Sequence, residues 1–240
     1  MKTKNIDLTQ GNEMKAIVLF SLPLIAGNLF QQLYNLVDTI VVGKFVGADA
    51  LAAVGSSYMT MTFLTSIIIG LCMGSGVIFS YFYSARDSKQ LSQSFFQSFI
   101  FILGVTVVIN GLSFLFIDEI LRLLNIEKSI FAMTKDYLLI IFVGMFFVFL
   151  YNYFAAVLRS MGNSFIPLVF LVISSVVNIV LDYLFVVPFQ MGVQGAGYAT
   201  VIAQIISAVG IAWYTLKCVP EMKFQKEMFV IKKSLMKKII

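Results

Sequence analysis

Residues 165–187 read FIPLVFLVISSVVNIVLDYLFVV. As an α-helix such a run rises about 34 Å, enough to cross the roughly 30 Å hydrocarbon core of a bilayer. Ser174, Asn178 and Asp182 are spaced by four and share one face of that helix. An otherwise apolar helix with an amide and a carboxylate on one face belongs in a membrane. That face must meet protein or a cavity, because lipid offers no hydrogen-bond partner.

Five more runs have the same character: Ala16–Val42, Leu51–Tyr83, Phe95–Phe116, Tyr137–Leu158 and Ala196–Leu216. The first two exceed what a bilayer needs, which predicts tilt, a kink or protrusion into water. The fold class expected is therefore all-α: a polytopic membrane protein with a bundle of six transmembrane helices. Composition agrees. Of the 240 residues 60% are hydrophobic and 12% charged, and the mean hydropathy is +0.94. This excludes an ordinary soluble domain and a disordered chain. The first run is too long and too polar at its middle for a cleavable signal.

Histidine is absent, which excludes Ser-His-Asp and Cys-His catalysis and any His-ligated metal. Cys72 and Cys218 are read as separate thiols. No Walker sequence is present, and the glycines at 192, 195 and 197 lack the strand context of a nucleotide fingerprint.

The net charge of +5 is local. Residues 217–240 carry seven lysines and two glutamates, +5 in all, so the rest of the chain is neutral. The reading is a six-helix lobe at 1–216, followed at 217–240 by a basic cytoplasmic linker segment and not a nucleic-acid surface. Met228, Ile231, Leu235 and Ile239 fall at helical spacing in it. The spacing predicts an amphipathic helix on an anionic leaflet, with a frayed linker as the alternative. With the amino terminus inside, the inner segments hold 13 of the 17 basic residues (Lys2, Lys4, Lys15, Arg86, Lys89, Arg159 and the seven tail lysines). The positive-inside rule then places both termini in the cytoplasm, as expected for a multi-pass plasma-membrane protein. The outer segment 117–136, rich in charge, is expected to be a solvated interfacial helix.

Of twelve acidic residues, only Asp38 and Asp182 lie within these apolar runs. A charge at mid-bilayer costs about 2.5–3.5 kcal/mol on insertion scales, so two of them call for a function; the bland alternative is helix-packing glue. Asp38, Asp182 and Thr200 each sit four or five residues from the outer end of an expected span, about 6–8 Å deep. Asn28, Gln31, Asn35 and Asp38 form a stripe on the first helix; Gly197, Thr200, Gln204 and Ser207 form one on the sixth. Ser174, Ser207 and Gly197 fit helix packing as well as a cavity wall. Asn178 and Asp182 supply amide and carboxylate oxygens, hard-ligand chemistry suited to a proton or Na⁺. Pro23 should kink the first helix. Gly70 and Gly74 fit a small-xxx-small packing pattern, and Arg159 is read as marking the inner boundary of the fourth span.

Taken in order, these segments resemble the multidrug and toxic compound extrusion (MATE) family. They are Leu22-Pro23, LYNLVDTIVVG at 33–43, AAVG at 52–55, LRSMGN at 158–163 with Pro167, NIVLD at 178–182 and GVQGAGYAT at 192–200. The resemblance implies the amino-terminal half of a twelve-helix transporter with a second six-helix lobe as partner. It implies secondary efflux of small-molecule organic cations in exchange for H⁺ or Na⁺, with no cofactor and no enzymatic activity. It assigns Asp38, Asn178, Asp182 and Thr200 to the coupling-ion site, Gln31, Tyr34 and Tyr137 to the substrate cavity, and Pro23 to the helix kink. Three alternatives stay open: a lipid-linked oligosaccharide flippase of the same superfamily, an inactive isolated half, and an intramembrane aspartyl protease. The last lacks the expected Gly-x-Gly-Asp signature.

Overall fold

The computed structural model describes residues 13–219 and 222. The described chain is helical throughout: α1 (Glu13–Phe45), α2 (Ala48–Ser84), α3 (Ser88–Leu115), α4 (Ile117–Leu123), α5 (Phe131–Ser160), α6 (Phe165–Val186) and α7 (Gly192–Cys218). Six of these are long and apolar enough to cross a membrane; α4 is not. The helices overrun the apolar runs that announced them, because backbone hydrogen bonding continues past the hydrocarbon edge. Thus α3 starts at Ser88, where the Asp87 carboxylate accepts from Gln90 N at 3.0 Å and Gln90 Nε2 at 2.8 Å. α7 starts at Gly192 and α5 at Phe131. The segment 217–240 starts inside α7, and the amphipathic pattern at 228–239 lies outside the described residues.

Alternating spans give the bundle two ends. Residues 13, 84–88, 160–165 and 218 lie at the near end; residues 45–48, 115–131 and 186–192 lie at the far end. The tight α1–α2 connection turns on Gly47, whose φ of 123° is open to glycine alone. At the near end Asn163 Oδ1 accepts from Ile166 N at 3.1 Å. Pro167 follows in the first turn of α6, where a missing N–H costs nothing.

Five helices close a ring in the order α1, α6, α7, α5, α2, and α3 packs outside it against α2 and α5. The α5–α7 and α6–α7 seams are close because glycines face them. A Cβ on Gly144 would lie 2.6 Å from Gln204 Oε1, one on Gly197 3.1 Å from Ile140 Cγ2, and one on Gly210 2.5 Å from the Phe170 ring. Lipid tails are as apolar as leucine, so such close packing and interhelical hydrogen bonds hold the bundle together. The packing expected at Gly70 and Gly74 is not found: a Cβ on either meets nothing within 4 Å, and both lie on the exposed side of α2. Gly76, two residues on, is the glycine of α2 that faces α5, at Ala156.

The largest core joins α2, α3 and α5 through aromatic edges, with Phe79–Phe95 centroids 4.7 Å apart and Phe99–Tyr153 5.1 Å. Tyr153 donates its hydroxyl to the Phe95 carbonyl. Asn110 Nδ2 donates to Phe142 O at 2.9 Å, a second α3–α5 tie. The solvated helix expected over 117–136 is shorter and less exposed. α4 buries Ile117 and Leu121, while Lys135 belongs to α5 and reaches back to Asp118 at 2.6 Å.

Candidate functional site

The ring brings four predicted residues into one place. Asp38 comes from α1, Asn178 and Asp182 from α6, and Thr200 from α7. All four are buried, with Asp182 at 0% and Asp38 at 7% exposure. Asn178 Nδ2 donates to Thr200 Oγ1 at 3.3 Å. Asp38 and Asp182 lie within electrostatic range of each other. Tyr137 on α5 is buried beside them, with its side chain set against Thr200.

The acceptors of this cluster are in surplus. Asp38 Oδ1, Asn178 Oδ1 and both carboxylate oxygens of Asp182 are buried without a hydrogen-bond partner. Among the described residues no lysine or arginine pairs with either carboxylate. An unpaired buried carboxylate costs several kcal/mol, in order of magnitude, so two of them side by side call for a neutralising proton or metal cation. Amide, hydroxyl and carboxylate oxygens are hard donors, which suits a proton or an alkali or alkaline-earth cation and not a soft metal.

A plug of mostly small, branched side chains covers the far-end side of the cluster: Val41, Val42, Ala50, Val54, Val186 and Val193. They come from four helices, α1, α2, α6 and α7. These side chains are apolar, so they offer the two carboxylates no hydrogen-bond partner on that side.

Gln31 and Tyr34 lie two turns and one turn before Asp38 on α1. Gln31 is exposed on the surface of the lobe, and Tyr34 is half-buried with its side chain against Gln31. The α1 stripe therefore runs from exposed (Asn28, Gln31) through half-buried (Asn35) to buried (Asp38). Pro23 lies within α1, which stays one helix through it. Two small residues of the other stripes serve packing between helices: Ser174 donates to Ala203 O at 3.0 Å, and Gly197 abuts Ile140. Ser207 donates to Gln204 O of its own helix at 3.1 Å.

The structure adds residues that the sequence left unassigned. Gln204, one turn below Thr200 on the same face of α7, keeps its Oε1 buried and unpartnered; the spacing of four from Thr200 was the available signal. Tyr58 on α2 lies within electrostatic range of Tyr34; its spacing of four from Thr62 and Ser66 was the available signal. Arg159, read as a boundary residue, is half-buried with its Nε atom buried and unpartnered.

Comparison with known proteins fits this arrangement. The MatE family model matches residues 23–184. Probable multidrug resistance protein YpnP of Bacillus subtilis is 35% identical over 215 residues, covering 89% of this chain and 48% of that protein. Multidrug export protein MepA of Staphylococcus aureus is 27% identical, covering 85% of this chain and 45% of its own length. The crystal structure of a MATE protein in the bent conformation superposes with a TM-score of 0.90 at 28% identity, covering 100% of this chain and 53% of that one. An outward-facing multidrug resistance MATE transporter of the MOP superfamily gives the same values. The chain thus spans about half the length of the relatives it matches. With the family model covering most of its length, this chain belongs to the MATE family of membrane transporters, and its six spans correspond to the amino-terminal lobe.

Proposed function

We propose that this chain is the ion-coupling lobe of a secondary efflux transporter, which exports cationic amphipathic compounds in exchange for H⁺ or Na⁺. The observation that carries this reading is the pair of buried, unpartnered carboxylates Asp38 and Asp182 beside Asn178 and Thr200. MATE members are transporters and not enzymes, so the aspartates are read as ion ligands and not as a protease dyad.

In this mechanism a cation enters the cluster and neutralises both acids. A bound ion drives a conformational change only by its difference in affinity for the two states. α1 supplies that difference. It carries Asp38, has Pro23 within its length and packs mainly on α6. Neutralising Asp38 and Asp182 removes the mutual repulsion of α1 and α6 at that depth, and the weakened hydrogen bonding at Pro23 lets α1 bend. Gln31, Tyr34 and Tyr137 contact the organic cation. The basic-residue asymmetry supports a cytoplasmic near end, and the membrane in this reading is the plasma membrane. A second six-helix lobe closes the exposed face of α1.

The test uses proteoliposomes of this chain, with and without a co-expressed second lobe. An imposed Na⁺ or pH gradient should drive uptake of a fluorescent organic cation, and Asp38→Asn or Asp182→Asn should abolish it. Coupled uptake that survives both substitutions would sink the site assignment. Translocation of a lipid-linked oligosaccharide without cation transport would replace this reading with the flippase.

A further inference from the structure

The ring has a second charged pole. Tyr137 and Arg159 are 22 residues apart on α5, about six helical turns, so they share a face roughly 33 Å apart along the axis. Tyr137 stands at the carboxylate cluster, and Arg159 stands at the near end of the same interior face. Tyr151 links them: it is within electrostatic range of both Tyr34 and Arg159. The interior thus has two acids toward the far end and one guanidinium at the near mouth.

Arg159 does not behave as an ordinary boundary arginine. Helical side chains lean toward the amino terminus of their helix. α5 runs toward the near end, so Arg159 leans back into the bundle. It lies within electrostatic range of two deeper groups, Tyr151 on α5 and Cys72 on α2. Neither satisfies it. Tyr151 gives its hydroxyl proton to Pro167 O at 2.9 Å, and Arg159 Nε is buried without a partner. Among the described residues no carboxylate pairs with Arg159. A guanidinium cannot shed its proton, so its buried, unpartnered Nε–H calls for an acceptor, best supplied by an anion.

From this geometry we infer that Arg159 holds a phosphate oxyanion at the near-end mouth of the lobe. The planar fork of arginine matches two phosphate oxygens. Arg159 is one residue from the near end of α5, a 30-residue helix longer than the roughly 20 residues that cross a hydrocarbon core, so its end reaches toward the headgroup region. The shared chemistry is the phosphate, whether on a lipid headgroup or free in solution. The site stands apart from the carboxylate cluster and does not depend on the identity of the coupling ion.

The experiment measures the thermal unfolding of the full chain in detergent. The probes are dioleoyl phosphatidic acid, the matching diacylglycerol without phosphate, and inorganic phosphate. Phosphatidic acid should raise Tm saturably and diacylglycerol should not. Arg159→Gln should remove the shift, Arg159→Lys should keep a smaller one, and Lys217→Gln should leave it intact. A shift from inorganic phosphate that is lost in Arg159→Gln assigns the site to free phosphate as well; its absence, with a lipid shift, assigns it to headgroups. An undiminished lipid shift in Arg159→Gln, an equal shift from diacylglycerol, or equal loss in Lys217→Gln overturns the proposal. Should Arg159→Gln not fold, native mass spectrometry of the wild-type chain decides. One retained phosphatidic acid per chain supports the site, and no preference over diacylglycerol overturns it.

Discussion

Asn178 donates its side-chain amide to the Thr200 hydroxyl at 3.3 Å across the α6–α7 seam, and its own amide oxygen is left buried without a donor one turn from Asp182. One bond thus ties two helices together and leaves the acceptors of the cluster to a cation. Thr200→Val should break both functions. It leaves a buried amide N–H unpaired, at a cost of about 1–3 kcal/mol, and should lower coupling-ion affinity about tenfold, equivalent to about 1.4 kcal/mol. Thr200→Ser should keep both near wild type. Thermal unfolding and ion titration of the purified protein check the pair.

Asp182→Asn should separate stability from function. Asp182 is fully buried with neither carboxylate oxygen paired, so a neutral amide of similar size relieves an electrostatic cost. Without added coupling ion, Tm should equal or exceed that of wild type, while ion-dependent stabilisation disappears. A Tm well below wild type, with ion-dependent stabilisation retained, would show that the carboxylate has a structural role instead.

Gly144→Ala should destabilise and Gly70→Ala should not. At position 144 the new methyl carbon lies 2.6 Å from Gln204 Oε1 and 2.9 Å from Val201 Cγ2. Gln204 can swing away, but a β-branched valine has little rotamer freedom. Overpacking of this kind costs about 1–3 kcal/mol. At position 70 nothing lies within 4 Å, and the better helix propensity of alanine makes the change neutral or stabilising by up to about 1 kcal/mol. Paired melting curves of the two variants test the α5–α7 seam directly.

Two polar ties should differ in weight. Tyr153 is fully buried and bonds Phe95 O and Ser98 Oγ, so Tyr153→Phe should cost about 1 kcal/mol. The Lys135–Asp118 pair is 34% and 43% exposed, and such pairs contribute about 0–1 kcal/mol. Lys135→Ala should therefore shift the melting transition less than Tyr153→Phe.

The sequence by itself determined the class of fold and the identity of the central acids. Six apolar runs can satisfy their backbone in a bilayer only as helices, and Asp38 and Asp182 stand out because lipid penalises charge. Helix spacing also put Asn178 and Asp182 on one face, and both ended up buried together. The sequence could not place helix ends, since hydrogen bonding carries α3 to Ser88 and α7 to Gly192 beyond the hydrophobic signal. Nor could it tell a packing glycine from a bystander. Gly70 and Gly74 match the motif yet face outward, while Gly144 and Gly210, outside any motif, meet α7 and α6. Tertiary structure alone decided which faces oppose one another. The rotation of each helix about its axis is set by contacts between elements far apart in the chain. That rotation brought Asp38 to Asp182 and Thr200, left Gln31 on the surface of the lobe, and made Arg159 a half-buried cation with its Nε atom unpartnered.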